Sequence, residues 1–170
     1  MRHLFRIAPI ALVLAGCGAT FDVEVESTAT IRSGGLFQNF LSNTFGDFTS
    51  LDLSQSQSFQ NAGVEKDQID SVRLSEAVLV IDTPADGTFE FLDAISFFVE
   101  AEGAPKKRLA FKQNIPNDAK TVSLDIDDLE LAPYVTAPSM KVTTEATAHA
   151  PQRDTTIKAT LVFAVDPRLF

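Results

Sequence analysis

Val72-Arg73-Leu74-Ser75-Glu76-Ala77-Val78-Leu79-Val80-Ile81-Asp82 is the most apolar strand candidate in the chain. Its contiguous Val78 to Ile81 is what a strand covered on both faces requires, so it should be central in a sheet. Pro84-Ala85-Asp86-Gly87 follows it as a turn, because Pro presets φ, Asp can bond the backbone and Gly accepts positive φ. Beyond the turn, Phe89 to Phe91 leads into Ile95, Phe97, Val99 and Ala101 alternating with Ser96, Phe98, Glu100 and Glu102, the period of a strand. A helix through Phe89, Leu92, Ile95 and Val99 also satisfies the spacing there.

Downstream, short strands separated by turn chemistry are expected at Lys107 to Gln113, Thr121 to Ile126, Met140 to Ala148 and Thr155 to Val165. Ala150-Pro151-Gln152-Arg153-Asp154 reads as a hairpin loop between the last two, and Asp128 to Val135, with Pro133, as a turn or single helical turn. Upstream, Phe21-Asp22-Val23-Glu24-Val25-Glu26 places Phe21, Val23 and Val25 on one face and the carboxylates on the other. Leu51 to Gln60 reads as a strand that is polar on both sides in its middle and suits a sheet edge. Val64 to Ser71 reads as a short helical turn with Ile69 and Val72 inward and Glu65, Lys66 and Asp67 solvated.

One segment has helical period. After Ser33-Gly34-Gly35, residues Leu36, Phe37, Phe40, Leu41 and Phe45 gather on one side of a helix that Ser33 could cap and Gly46 end. This Phe-rich face is the candidate recognition surface, for lipid, an apolar ligand or a partner; its other reading is a helix covering one open end of the β core. About eight short strands with this one short amphipathic helix predict an all-β fold, an antiparallel β-sandwich, since each half-buried sheet must cover its apolar face with another. In general build the domain is similar to the immunoglobulin-like sandwiches of bacterial envelope proteins, a likeness that rests on strand count and carries no functional residues.

The 170 residues include 14 Lys plus Arg against 23 Asp plus Glu, a net charge of -9. A surface this acidic repels phosphate backbones and anionic lipid headgroups, so no nucleic-acid partner is expected and a membrane anchor must be the lipid itself. With 14 Phe, one Tyr and no Trp, the aromatic content packs without needing hydrogen-bond partners, which argues against a lectin. No catalytic residue is assigned. Nucleophilic catalysis needs a base in reach, and beyond the N-terminal segment the chain offers one histidine, His149, at the end of a strand. No metal site or cofactor is expected either, because one histidine and scattered carboxylates make a poor zinc site. Asp125-Ile126-Asp127-Asp128-Leu129-Glu130 is the dense group of oxygen ligands, but its spacing suits a solvated acidic edge better than calcium. Lys106-Lys107-Arg108 reads as a hairpin tip neutralising neighbouring acids.

The chain's address is carried by its first residues. Arg2 and Arg6 precede an apolar run from Ile7 to Val13, which ends in Leu14-Ala15-Gly16-Cys17. Basic start, short apolar core and small residues make a secretory signal, too short for the roughly 20 apolar residues of a membrane-spanning helix. The Leu-Ala-Gly-Cys ending resembles the lipobox of bacterial lipoproteins over residues 1–18. That resemblance implies cleavage between Gly16 and Cys17 and a diacylglyceryl group on the Cys17 thiol. It divides the chain into a signal peptide (1–16), a lipid anchor with short tether (17–20) and a β-sandwich domain (21–170). In that class an Asp after the cysteine tends to retain the protein in the inner membrane; here Gly18 stands there, which implies the outer membrane. With Cys17 the sole cysteine, the exported domain has no disulfide and relies on apolar burial.

The function expected from these readings is a membrane-anchored, non-catalytic binding or structural module of the envelope, whose partners are the membrane through its N-terminal lipid and another envelope protein. Two other readings stand beside it: a carrier holding an apolar ligand between the sheets, and a carboxylate-dependent hydrolase with two acids facing across a cleft.

Overall fold

The computed structural model describes residues 20–34 and 45–168. Gly16, Cys17, Leu36, Phe37, Phe40 and Leu41 lie outside the described residues. Within them, eight strands form two antiparallel sheets: β1 (Phe21–Ile31), β2 (Ile69–Thr83), β3 (Leu92–Ala101), β4 (Ala104–Gln113), β5 (Thr121–Ser123), β6 (Asp125–Ile126), β7 (Met140–Ala148) and β8 (Thr155–Pro167). Their orders are β1-β8-β2-β5 and β6-β4-β3-β7. The chain is therefore an all-β sandwich, with β2 interior to its sheet.

The pairing is nested. β1 runs antiparallel to β8 over its whole length, from Phe21 opposite Val165 to Ile31 opposite Thr155. Leu51 exchanges both backbone hydrogen bonds with Met140, the first residue of β7, at 2.7 and 2.9 Å. β2 then pairs with β5, and β3 with β4. The chain thus follows the path of one long hairpin, folded at Glu102-Gly103 and rolled into two sheets by the further β2–β8 and β3–β7 contacts. First-with-last pairing across two Greek keys is jelly-roll connectivity, and it differs from the immunoglobulin order, in which the strands divide as ABED and CFG. Strand count could not separate these, because periodicity reports a strand's faces and not its neighbours.

The buried faces follow the alternation of the sequence. Val23, Ala29 and Ile31 of β1, Ile95, Phe97 and Val99 of β3, and Ile157, Ala159, Leu161, Phe163 and Val165 of β8 are buried. The helical alternative for residues 89–99 is thereby excluded. β2 changes parity along its length: Val72 and Leu74 point inward, then Ala77, Leu79 and Ile81. A bulge makes the switch, since Leu74 pairs with Phe163 and Glu76 with Val162, leaving Ser75 extra, its hydroxyl donating to the Val162 carbonyl at 3.1 Å. The outward Val78 and Val80 are half-buried, so the contiguous apolar run reflects one covered face and one half-covered face.

Several local expectations are revised. Leu51 to Gln60 is no strand: after the Leu51 bridge come a 3-10 turn at Leu53–Gln55 and helix α1 (Gln57–Ala62). The Asp52 carboxylate accepts from Ser54 N–H, the Ser56 hydroxyl accepts from Phe59 N–H, and Gly63, at φ 64°, ends the helix in the left-handed region. Such local side-chain bonds draw a Ser-rich segment out of a sheet ladder. Thr121 to Ile126 is two strands, because the chain passes from one sheet to the other at Leu124, whose N–H bonds Ala77. Residues 150–154 likewise join different sheets and close no hairpin. Gly46 opens a 3-10 turn (Gly46–Ser50), and the helix expected before it lies outside the described residues apart from Phe45. Gly87 needs no positive φ; a Cβ there would stand 2.9 Å from Ile81 Cγ2 and from the Pro84 carbonyl, so it is required by close approach. The helical turn expected within 128–135 is α2 (Ala132–Val135).

Candidate functional site

Phe45, the one described member of the Phe-rich set, is 3 % exposed and packs its ring on Phe48 at 5.8 Å and on Phe97 at 5.7 Å. It belongs to the core and offers no recognition surface. The 3-10 turn that follows packs against both β1 and β7, closing the gap between the edges of the two sheets. Between the sheets the space is filled by Phe48, Phe97, Phe163, Leu79, Leu109 and Leu161, each under 2 % exposed.

A cleft of about 540 Å³ opens at the end where β1 begins, lined by Ser54, Gln55, Phe59, Gln60, Gly63, Val64, Glu65 and Lys66. Phe59, 1 % exposed, forms its floor and meets the Phe21 ring edge-on at 5.6 Å, which fixes α1 beside the first residue of β1. The rim is amide-rich. Gln57 donates to Asn61 at 2.8 Å and Gln60 to the Gln55 carbonyl at 3.4 Å. In the wall Lys66 is held by Asp52 at 2.8 Å and by the Ala137 carbonyl at 3.0 Å. Burial pushes the Asp52 carboxyl up, but Lys66 and the Ser54 hydroxyl and N–H more than offset this and hold it below the usual carboxylate range. The polar lining of the cleft is made by the Gln55 and Gln60 amides, the Ser54 hydroxyl, the Glu65 carboxylate and the Lys66 ammonium. Sequence reading passed over it; its signal was Leu53 to Val64, twelve residues without a charge in an acidic chain.

The acidic and basic runs meet each other. Arg108 forks onto Asp127 at 2.7 and 3.1 Å, Lys112 pairs with Asp125 at 3.3 Å, Lys106 with Glu145 at 2.8 Å, and Arg73 with Asp128. Lys106 also sits over the Phe98 ring at 4.5 Å and Arg108 over Phe111 at 3.8 Å. The Arg108 guanidinium holds the Asp127 carboxyl below its ordinary range. Glu130 bonds backbone instead of a cation. It accepts from Val72 N–H at 2.8 Å and Ala132 N–H at 2.9 Å, and its carboxyl is lowered although burial alone would raise it. Asp125 and Asp127 thus stand on a sheet edge engaged by cations. Among the described residues no three His, Cys, Asp or Glu side chains gather where a metal could bind.

At the opposite end a smaller cleft of about 190 Å³ lies between residues 84–91 and 151–155, bridged by Arg153 and Asp86 at 3.0 Å. His149 is exposed nearby, its N–H bonded to the Phe91 carbonyl at 2.8 Å. No helix among the described residues is long and apolar enough to cross a membrane.

No protein-family model matches the chain, and no curated protein resembles it in sequence. Among solved structures it is similar to a chain of desmodium yellow mottle tymovirus, at TM-score 0.31 and 9% identity over 100% of this chain and 93% of that one. It is also similar to a chain of turnip yellow mosaic virus, at TM-score 0.29 and 11% identity over 90% of this chain and 96% of that one.

Proposed function

We propose that the protein is a bacterial envelope lipoprotein, held in the outer membrane by acyl chains on Cys17, whose jelly-roll domain is a non-catalytic binding or structural module. One observation carries the reading: Leu14-Ala15-Gly16-Cys17 closes a basic-then-apolar leader, and a folded strand opens at Phe21, four residues beyond the cysteine. A signal that ends directly before a domain leaves the cysteine as its first residue, and two or more acyl chains hold a protein firmly at a bilayer. The non-catalytic part draws support from the ion pairs that occupy Asp125, Asp127, Asp128 and Lys106, and from a core filled by its own side chains.

Detergent phase partition of the protein expressed with its leader tests this. The wild type should enter the detergent phase and Cys17→Ser the aqueous phase, with the same circular dichroism. Equal partition of the two would contradict the lipid anchor.

A further inference from the structure

We infer that the uncharged cap around α1, presenting Gln55, Gln57, Ser58, Gln60 and Asn61, is the surface that lies on the phospholipid headgroups of the membrane carrying Cys17. The inference rests on the lipid-anchor reading and adds an orientation and a contact to it.

The geometry begins with reach. Thr20 lies three residues beyond Cys17, so even a fully extended tether spans no more than about 11 Å. The headgroup layer of one leaflet is itself roughly 5–8 Å deep, so the end of the sandwich at which β1 starts is held at the lipid surface. α1 shares that end: Phe59 stacks edge-on against Phe21, and Gln68, just beyond the cap, accepts from Arg168 N–H after β8. The opposite end, with Gln152 and Asp154, stands a strand length away, since β8 starts at Thr155 and reaches Phe21 only at Val165.

Chemistry favours the same contact. In a chain of net charge -9, carboxylates against a phosphate layer would repel it, yet Gln55, Gln57, Ser58, Gln60 and Asn61 are exposed and uncharged. Amides and hydroxyls both donate to phosphate oxygens and accept from headgroup ammonium groups. Asp52 is neutralised by Lys66, which leaves Glu65 as the one carboxylate among the residues lining the cleft. The cleft floored by Phe59 offers a headgroup about 540 Å³ of room, with Gln55 and Gln60 on its lining.

The test uses the full lipidated chain in vesicles of phosphatidylethanolamine and phosphatidylglycerol containing a headgroup-quencher lipid. With Cys17 acylated, a fluorophore is placed at Gln60→Cys or, at the far end, at Gln152→Cys; Asn61→Cys replaces the first if folding is disturbed. Quenching should be several-fold stronger at 60 than at 152, and Gln57→Glu should reduce it at 60. Equal quenching at both ends in protein whose N-terminal peptide carries the acyl mass overturns this inference alone. Loss of the acyl mass overturns the lipid-anchor reading and this contact with it.

Discussion

The two long sides of the sandwich are closed by different means. On one side the chain itself crosses between sheets, β5 passing to β6 through Leu124, whose N–H bonds Ala77 and whose side chain is 7 % exposed. On the other, β1 and β7 are edges of different sheets, joined by a non-strand segment that inserts Phe45 and Phe48 against Phe97 and touches the sheet ladder through Leu51. The first closure is mainly backbone hydrogen bonding; the second is mainly aromatic burial. A side held by burial has no register to keep, so the chain is free to turn there, and it does so into the Leu53–Gln55 turn and α1.

The comparison is sharpest at Phe48, fully buried and ringed by Phe45 and Phe97. Phe48→Ala should cost about 3–5 kcal/mol in denaturant unfolding, the range for deleting a buried aromatic. Leu124→Ala should cost about 2–3 kcal/mol, since fewer atoms are lost and the backbone bond to Ala77 survives. If Leu124→Ala proves the more damaging, the two sides do not differ as described.

Glu130 tests a third attachment, in which a carboxylate stands in for a strand by accepting from Val72 and Ala132. Glu130→Ala should cost about 2 kcal/mol through two N–H groups left without their charged acceptor. Because the folded carboxyl is held below its unfolded value, its contribution is complete above the ordinary carboxylate range and fades as the pH falls through the folded value. Asp52 acts with the same sign. Acid titration of stability should therefore be flatter in Glu130→Ala than in the wild type; parallel curves would contradict the role. Asp127→Asn should have the smallest effect, within the scatter of unfolding measurements in salt, because its partner Arg108 is solvent-screened.

Much of the fold was legible in the alternation of the chain. Met140 to Ala148 matches β7 end to end, and Phe21 to Glu26 marks the inward face of β1. Even the β2 bulge is written there, as the two-residue gap between Leu74 and Ala77 in an otherwise alternating set. What alternation lacks is partnership. Thr121 to Ile126 keeps one pattern while changing sheets, and 150–154 has turn chemistry whether it closes a hairpin or spans the sandwich. Leu51 to Gln60 misleads for another reason: Leu51 and Leu53 imitate a strand, while Asp52, Ser56 and Gly63 carry capping signals that outweigh two apolar positions. The same segment hid the cleft, since amides bear no catalytic signature. Helical spacing assigns Phe45 to a recognition face, yet one Phe in a periodic set can as well be the residue that plugs the core.

Anchor, orientation and membrane contact all depend on the state of Cys17. Mass spectrometry of the N-terminal peptide of the protein purified from its native envelope measures it directly. The expected peptide begins at Cys17 and carries the mass of a diacylglyceryl group and its acyl chains; an unmodified cysteine, or residues 1–16 still attached, would contradict the lipid anchor.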